Sequence, residues 1–183
     1  MNLASSNTVH TLSLVTRDHP GVLVRISLTF ARRGRNIESL AVSPGATGGY
    51  SRMTITSRGN PESVEQIIQH LAKLVDVVDV IDHQENPPLE AEVALAKVSA
   101  EGLDQEAVLA HIRRQVTAST AEVIDNSENT AVFRLMGSTA HVERGIAAIA
   151  ELRPIHELVR SGPVAMDQGA SHYAHLMGKV LRS

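Results

Sequence analysis

The strongest constraint on this chain is an order of elements that can be read twice, once on each side of a double proline. In the first half, "VHTLSLVTR" (9–17) alternates, with Leu12 and Leu14 toward one face and Thr11 and Ser13 toward the other, the period of a half-buried strand. After "DHPG", Val22, Leu23, Ile26 and Phe30 recur at helical spacing, and Gly34 ends the helix. "NIESLAVSP" and "YSRMTITS" read as strands joined by the hairpin connection "GATGG". Asn60 caps a second helix, Pro61 opens it, and Val64, Ile67, Ile68 and Leu71 form its buried stripe. "LVDVVDVID" closes the half as a strand, so the order is β-α-β-β-α-β.

"HQENPPLE" is polar and proline-rich, the composition of a linker. The order then repeats. "AEVALAKVSA" reads as a strand, "LDQEAVLAHIRR" as a helix, and "AEVIDN" with "NTAVFRLMGS" as paired strands. "TAHVERGIAAIAEL" is a helix with Val142, Ile146 and Ile149 on one face, and "PIHELVRSG" closes the unit. The expected class is therefore α+β: two tandem ferredoxin-like βαββαβ domains. Each puts two helices on one face of a four-stranded antiparallel sheet and leaves the other face and the edge strands open. An open edge is a template for pairing, so homodimerisation through the first domain is expected.

Composition narrows what such domains can do. The 183 residues include no Cys and no Trp, and only two Tyr and two Phe. Disulfides, thiolate metal sites and a cysteine nucleophile are excluded, and a ligand site cannot rest on aromatic stacking. RNA-recognition domains share this topology but stack bases on strand aromatics, and "YSRMTITS" offers only Tyr50, at its edge. A formal charge of −3 gives no field favouring nucleic acid or an anionic membrane. With no apolar run of spanning length and no signal-peptide pattern, the chain reads as cytoplasmic.

The turn "DHPGVL" is where ligand chemistry is possible. Proline suits an early helical position, and glycine lets a ligand approach the backbone. The N–H groups of Gly21, Val22 and Leu23, with the helix dipole, favour a carboxylate or phosphate. Asp18 either caps this turn or receives an ammonium group, while Val22 and Leu23 supply aliphatic walls. Such a site suits an aliphatic amino acid. The same residues also serve as plain punctuation, and Asn36, two residues past Gly34, can be a position tolerant of an awkward backbone angle.

The run "HTLSLVTRDHPGVLVRISLTFARRGRNIESLAVSP", with "SRMTI" and "LAKLVDVVDVID", resembles the regulatory (small) subunit of acetolactate synthase, also called acetohydroxyacid synthase. Looser agreement runs through "EVALAKV" to "RSGPVAM". The resemblance implies an N-terminal ACT domain over 9–83, after a tail at 1–8. A linker at 84–90, a C-terminal ferredoxin-like (ACT-like) domain at 91–166 and a tail at 167–183 complete the chain. It also implies a non-catalytic partner with no cofactor of its own. The catalytic (large) subunit carries thiamine diphosphate, Mg and FAD, and the small subunit raises its activity and confers feedback inhibition by valine or another branched-chain amino acid. The effector is then held between two ACT domains of a dimer. One chain offers Asp18, Pro20, Gly21, Val22 and Leu23, and the other offers Asn36 and Ile37. The alternative within the family is a paralogue that has lost valine feedback.

Three further constellations are weaker. "HYAH" spaces His172 and His175 three apart, but without a carboxylate or cysteine frame it reads as a solvated tail. Arg32, Arg33 and Arg35 suit the C-terminus of a helix, or a contact with the catalytic subunit. An acylphosphatase site would require Arg17 or Arg25 to converge with Asn36 on a phosphate, and no motif supports it.

Overall fold

The computed structural model describes residues 8–116 and 120–169. Contacts divide it into a first unit that ends at Leu89 and resumes at Ala165, and a second unit, Glu90–Val164. In the first, β1 (Thr8–Arg17), α1 (Val22–Arg32), β2 (Ser39–Pro44), β3 (Tyr50–Gly59), α2 (Pro61–Leu71) and β4 (Val77–Asp82) follow one another. The sheet order is β2-β3-β1-β4, with every pairing antiparallel, so β2 and β4 are its edges. The second unit repeats this with β5 (Leu89–Ser99), α3 (Gln105–Gln115), β6 (Thr120–Asn126), β7 (Thr130–Gly137), α4 (Thr139–Leu152) and β8 (Ile155–Arg160). Its strands run in the order β6-β7-β5-β8, and β9 (Val164–Met166) follows in the chain. The α+β class and the ferredoxin-like order expected from the sequence are those observed.

Each core lies between a sheet and its two helices. In the first unit Leu12, Leu14, Met53 and Ile55 meet Val22, Ile26 and Phe30 of α1 and Val64, Ile67 and Leu71 of α2. Full burial of one such side chain contributes about 1.5–3 kcal/mol. The helical face is narrower than the sequence suggested. Leu23 is 41% exposed, because a step of 100° per residue turns it away from the Val22–Ile26–Phe30 line. Ala94, Ala96, Phe133 and Leu135 play the sheet's part in the second core, under Ile112, Val142 and Ile149. Gly145 allows α4 to approach closely, since a Cβ there would stand 3.1 Å from Leu135.

One expectation fails. The outer face of the first sheet is not open, for Ser13, Val15 and Thr54 are all buried. The returning segment supplies part of the cover: the Ala165 amide donates to Thr54 Oγ1 at 3.3 Å, and Arg52 donates to the Ala165 carbonyl at 3.1 Å. Ala165 and Met166, read from the sequence as the end of the second domain, fall with the first unit. His172 and His175 lie outside the described residues.

Candidate functional site

Three of the four helices among the described residues start under a side-chain cap. Asn60 Oδ1 accepts from the Ser63 amide (2.9 Å), Asp104 Oδ1 from the Ala107 amide (3.0 Å), and Ser138 Oγ from the His141 amide (3.4 Å). Helix α1 has no such bond. Its N-cap is Gly21, left-handed at φ 89°. Asp18 therefore does not cap it; the Asp18 amide donates instead to the Gly49 carbonyl at 2.9 Å, and its side chain is exposed. Pro20 lies in the turn ahead of the cap and not in the helix. Val22 donates to the His19 carbonyl at a long 3.5 Å, and its side chain is buried in the core, so it is not a wall of an open site. The amides of Leu23 and Val24 lie in the first turn, where no intrahelical acceptor exists. Both side chains are exposed.

A cation completes this corner. A residue on the second turn of a helix leans toward the N-terminus, so the long Arg25 side chain reaches back over Gly21. A Cβ on Gly21 would stand 3.3 Å from an Arg25 guanidinium nitrogen. Replacing Gly21 with any other residue would thus strain a left-handed backbone as well as crowd Arg25. Asp76, 6% exposed at its side chain, pairs with Arg25 and lies 3.0 Å from His19 Nε2. Its carbonyl also accepts the Arg17 amide at 2.8 Å, which ties this corner to the end of β1. The sequence reading did not assign Arg25 or Asp76 to the effector site. The spacing from Gly21 to Arg25, one helical turn, was the available signal for Arg25; Asp76 lies far away in sequence and gave none.

Asn36 and Ile37 lie at the other end of α1, which at 1.5 Å per residue is about 16 Å away over eleven residues. One chain therefore does not bring the two groups together. The Asn36 backbone is ordinary, since no non-glycine residue among those described has a positive φ, and Gly34 (φ 63°) takes the left-handed turn. The Asn36 carbonyl accepts from Ser57 Oγ at 2.7 Å, while its side chain is exposed. Ile37 packs partly into the core at the entry to edge strand β2. Arg25, held by Asp76, does not converge with Asn36 on a phosphate. Nor do the described residues contain a group of three His, Asp or Glu side chains able to hold a metal ion.

Residues 12–79 match the family described as "AHAS small subunit-like ACT domain", and residues 91–169 match "Small subunit of acetolactate synthase". The chain belongs to the acetolactate synthase small-subunit family. It is 36% identical over 160 residues to the acetolactate synthase small subunit of Mycobacterium leprae, covering 87% of this chain and 92% of that protein. The small subunit of Escherichia coli acetolactate synthase isozyme 3 is 33% identical over 158 residues, covering 86% and 94%. The acetolactate synthase small subunit of Thermotoga maritima superposes with a TM-score of 0.73 at 33% identity, over 89% of this chain and 99% of that one. Members of this family are regulatory subunits that partner a catalytic subunit. The ACT match runs from within β1 to within β4 and so contains both groups of expected effector residues. No described helix is long and apolar enough to cross a membrane.

Proposed function

We propose that this regulatory subunit activates a thiamine-diphosphate-dependent acetolactate synthase catalytic subunit and lets a branched-chain amino acid, valine foremost, inhibit it. The effector sits at the seam of a homodimer. The uncapped start of α1 carries this reading. There the amides of Leu23 and Val24, the helix dipole and the Arg25 guanidinium favour a carboxylate, the exposed Asp18 favours an ammonium group, and Leu23 offers an aliphatic contact. Asn36 and Ile37 of the second chain close the site, entered along edge strand β2. Catalysis, with thiamine diphosphate, Mg and FAD, belongs to the large subunit, and the chain works in the cytoplasm. The domains proposed from the sequence are 9–83 and 91–166, the last two residues of the second packing with the first unit.

Feedback requires the effector to bind one state of the assembly more tightly than the other. Reconstitution with a catalytic subunit tests this by measuring acetolactate formation with and without valine, leucine and isoleucine. Adding the chain should raise turnover, and valine should lower it again. Activation that no amino acid reverses would instead favour a paralogue without feedback. No activation at all would overturn the assignment.

A further inference from the structure

The segment that returns at Ala165 lies across the outer face of the first sheet and is held there by polar bonds. The Ala165 amide donates to Thr54 Oγ1 at 3.3 Å, and the Ala165 carbonyl accepts from Arg52 at 3.1 Å and from Ser13 Oγ at 3.5 Å. Two residues on, the Asp167 carboxylate stands 3.6 Å from His83 Nδ1. Gln168 Nε2 donates to the Pro87 carbonyl at 3.0 Å. Asp167 and Gln168 also wall a cavity of about 520 Å³ with Asp79, Asn86 and Pro87. Ala165 is the one buried apolar side chain among Ala165 to Gln168.

His83 is the hub of these contacts. It is 5% exposed, and Nε2 lies 2.8 Å from Ser13 Oγ. A neutral ring is sufficient to hold the segment: Nε2–H donates to Ser13, whose hydroxyl hydrogen is then free for the Ala165 carbonyl. Nδ1 stays an acceptor, at a distance from Asp167 too long for a hydrogen bond. Charged groups face the ring from three elements, Arg52 on β3, Asp82 on β4 and Asp167 on the returning segment. Burial depresses its pKa below the ordinary histidine value and outweighs the raising effect of Asp167; Arg52 lowers it further, and Asp82 raises it.

We propose that Ala165–Gln168 is a proton-released strap, seated on the outer face while His83 is neutral and lifted when His83 gains a proton. A buried ring binds its proton more weakly than a hydrated one, so proton uptake favours the state in which water reaches His83. Above the unperturbed histidine pKa of about 6.5 the strap is fully seated, and it gives way as pH falls below that value. Lifting it uncovers Ser13 and Thr54 and removes one wall of the cavity. The regulatory subunit then presents a different face of its first unit in acid, whatever effector it binds.

Amide-exchange protection of Ala165 in the full chain, measured by NMR and corrected for the intrinsic effect of pH on exchange, reads the strap directly. Protection should fall about tenfold or more between about pH 8 and about pH 5, with its onset at the exposed-ring pKa of about 6.5. His83→Gln, which keeps a donor toward Ser13, should hold its protection across the range. Asp167→Asn, which removes a charge that favours the proton on the seated ring, should leave the onset near about pH 6.5 and deepen the acid loss; a contact with no proton linkage would weaken equally at every pH. Protection in the wild type that ignores pH would overturn the proposal. So would an onset far from that value, or an undiminished acid loss in His83→Gln.

Discussion

The two units share a topology down to a local irregularity and differ in what they leave unsatisfied. In each, the register between the first and last strands of the unit shifts near one end, at Val15/Thr16 in β1 and at Lys97/Val98 in β5. Both helices of the second unit are capped by side chains, whereas the first unit leaves α1 to a left-handed glycine. Charge is placed differently too. The second unit buries Glu92 at 1% side-chain exposure against Arg160, with bonds of 2.7 and 3.1 Å that raise the arginine's pKa. Its counterpart puts its arginine–aspartate pair beside an open helix start. One scaffold thus serves once as a closed fold and once as a fold with a helix end available to a ligand.

Core truncation is the largest test of that equivalence. Phe30 and Phe133 are each almost fully buried, at 1% and 0% exposure, Phe30 on helix α1 in the first core and Phe133 on strand β7 in the second. Phe30→Ala and Phe133→Ala should each cost about 3–5 kcal/mol in chemical denaturation, each in the unit that holds it. A mutation that destabilises both units equally would break the picture of two cores. Next comes Arg160→Ala, which strands the buried Glu92 carboxylate and should cost about 3 kcal/mol, in the second unit only. A cost below about 1 kcal/mol would show that Glu92 finds water or another donor. The smallest test concerns the caps. Asn60→Ala and Asp104→Ala should each lose about 1 kcal/mol, while Asp18→Ala, which removes no cap, should leave stability within about 0.5 kcal/mol. A full cap penalty at Asp18 would contradict the open helix start.

Long periodic segments were legible because side-chain spacing alone defines them. Helix α4 runs over Thr139–Leu152, the span its pattern marks out, and the Asn60–Pro61 start of α2 follows from capping chemistry. What the sequence hid depends on partners distant in the chain. Leu23 looks like a core residue until the rotation of the helix against the sheet is fixed. The alternative of an awkward backbone angle at Asn36 fails because Gly34 absorbs that turn and leaves Asn36 ordinary. The Asp76 carboxylate reads as one polar residue in an apolar run, and only the fold carries it to Arg25. Least visible was the return at Ala165, because a three-residue strand has no period to detect.

The central claim is that each effector site takes one half from each of two chains, and mixing variants tests it most directly. Leu23→Asp damages the half at the start of α1, and Asn36→His damages the other. Calorimetry with valine should find no binding to either variant alone. Binding should reappear when the two are unfolded, mixed and refolded together, since each mixed dimer then holds one site with both halves intact. Silence in the mixture, or wild-type binding by either variant alone, would contradict a site shared between chains.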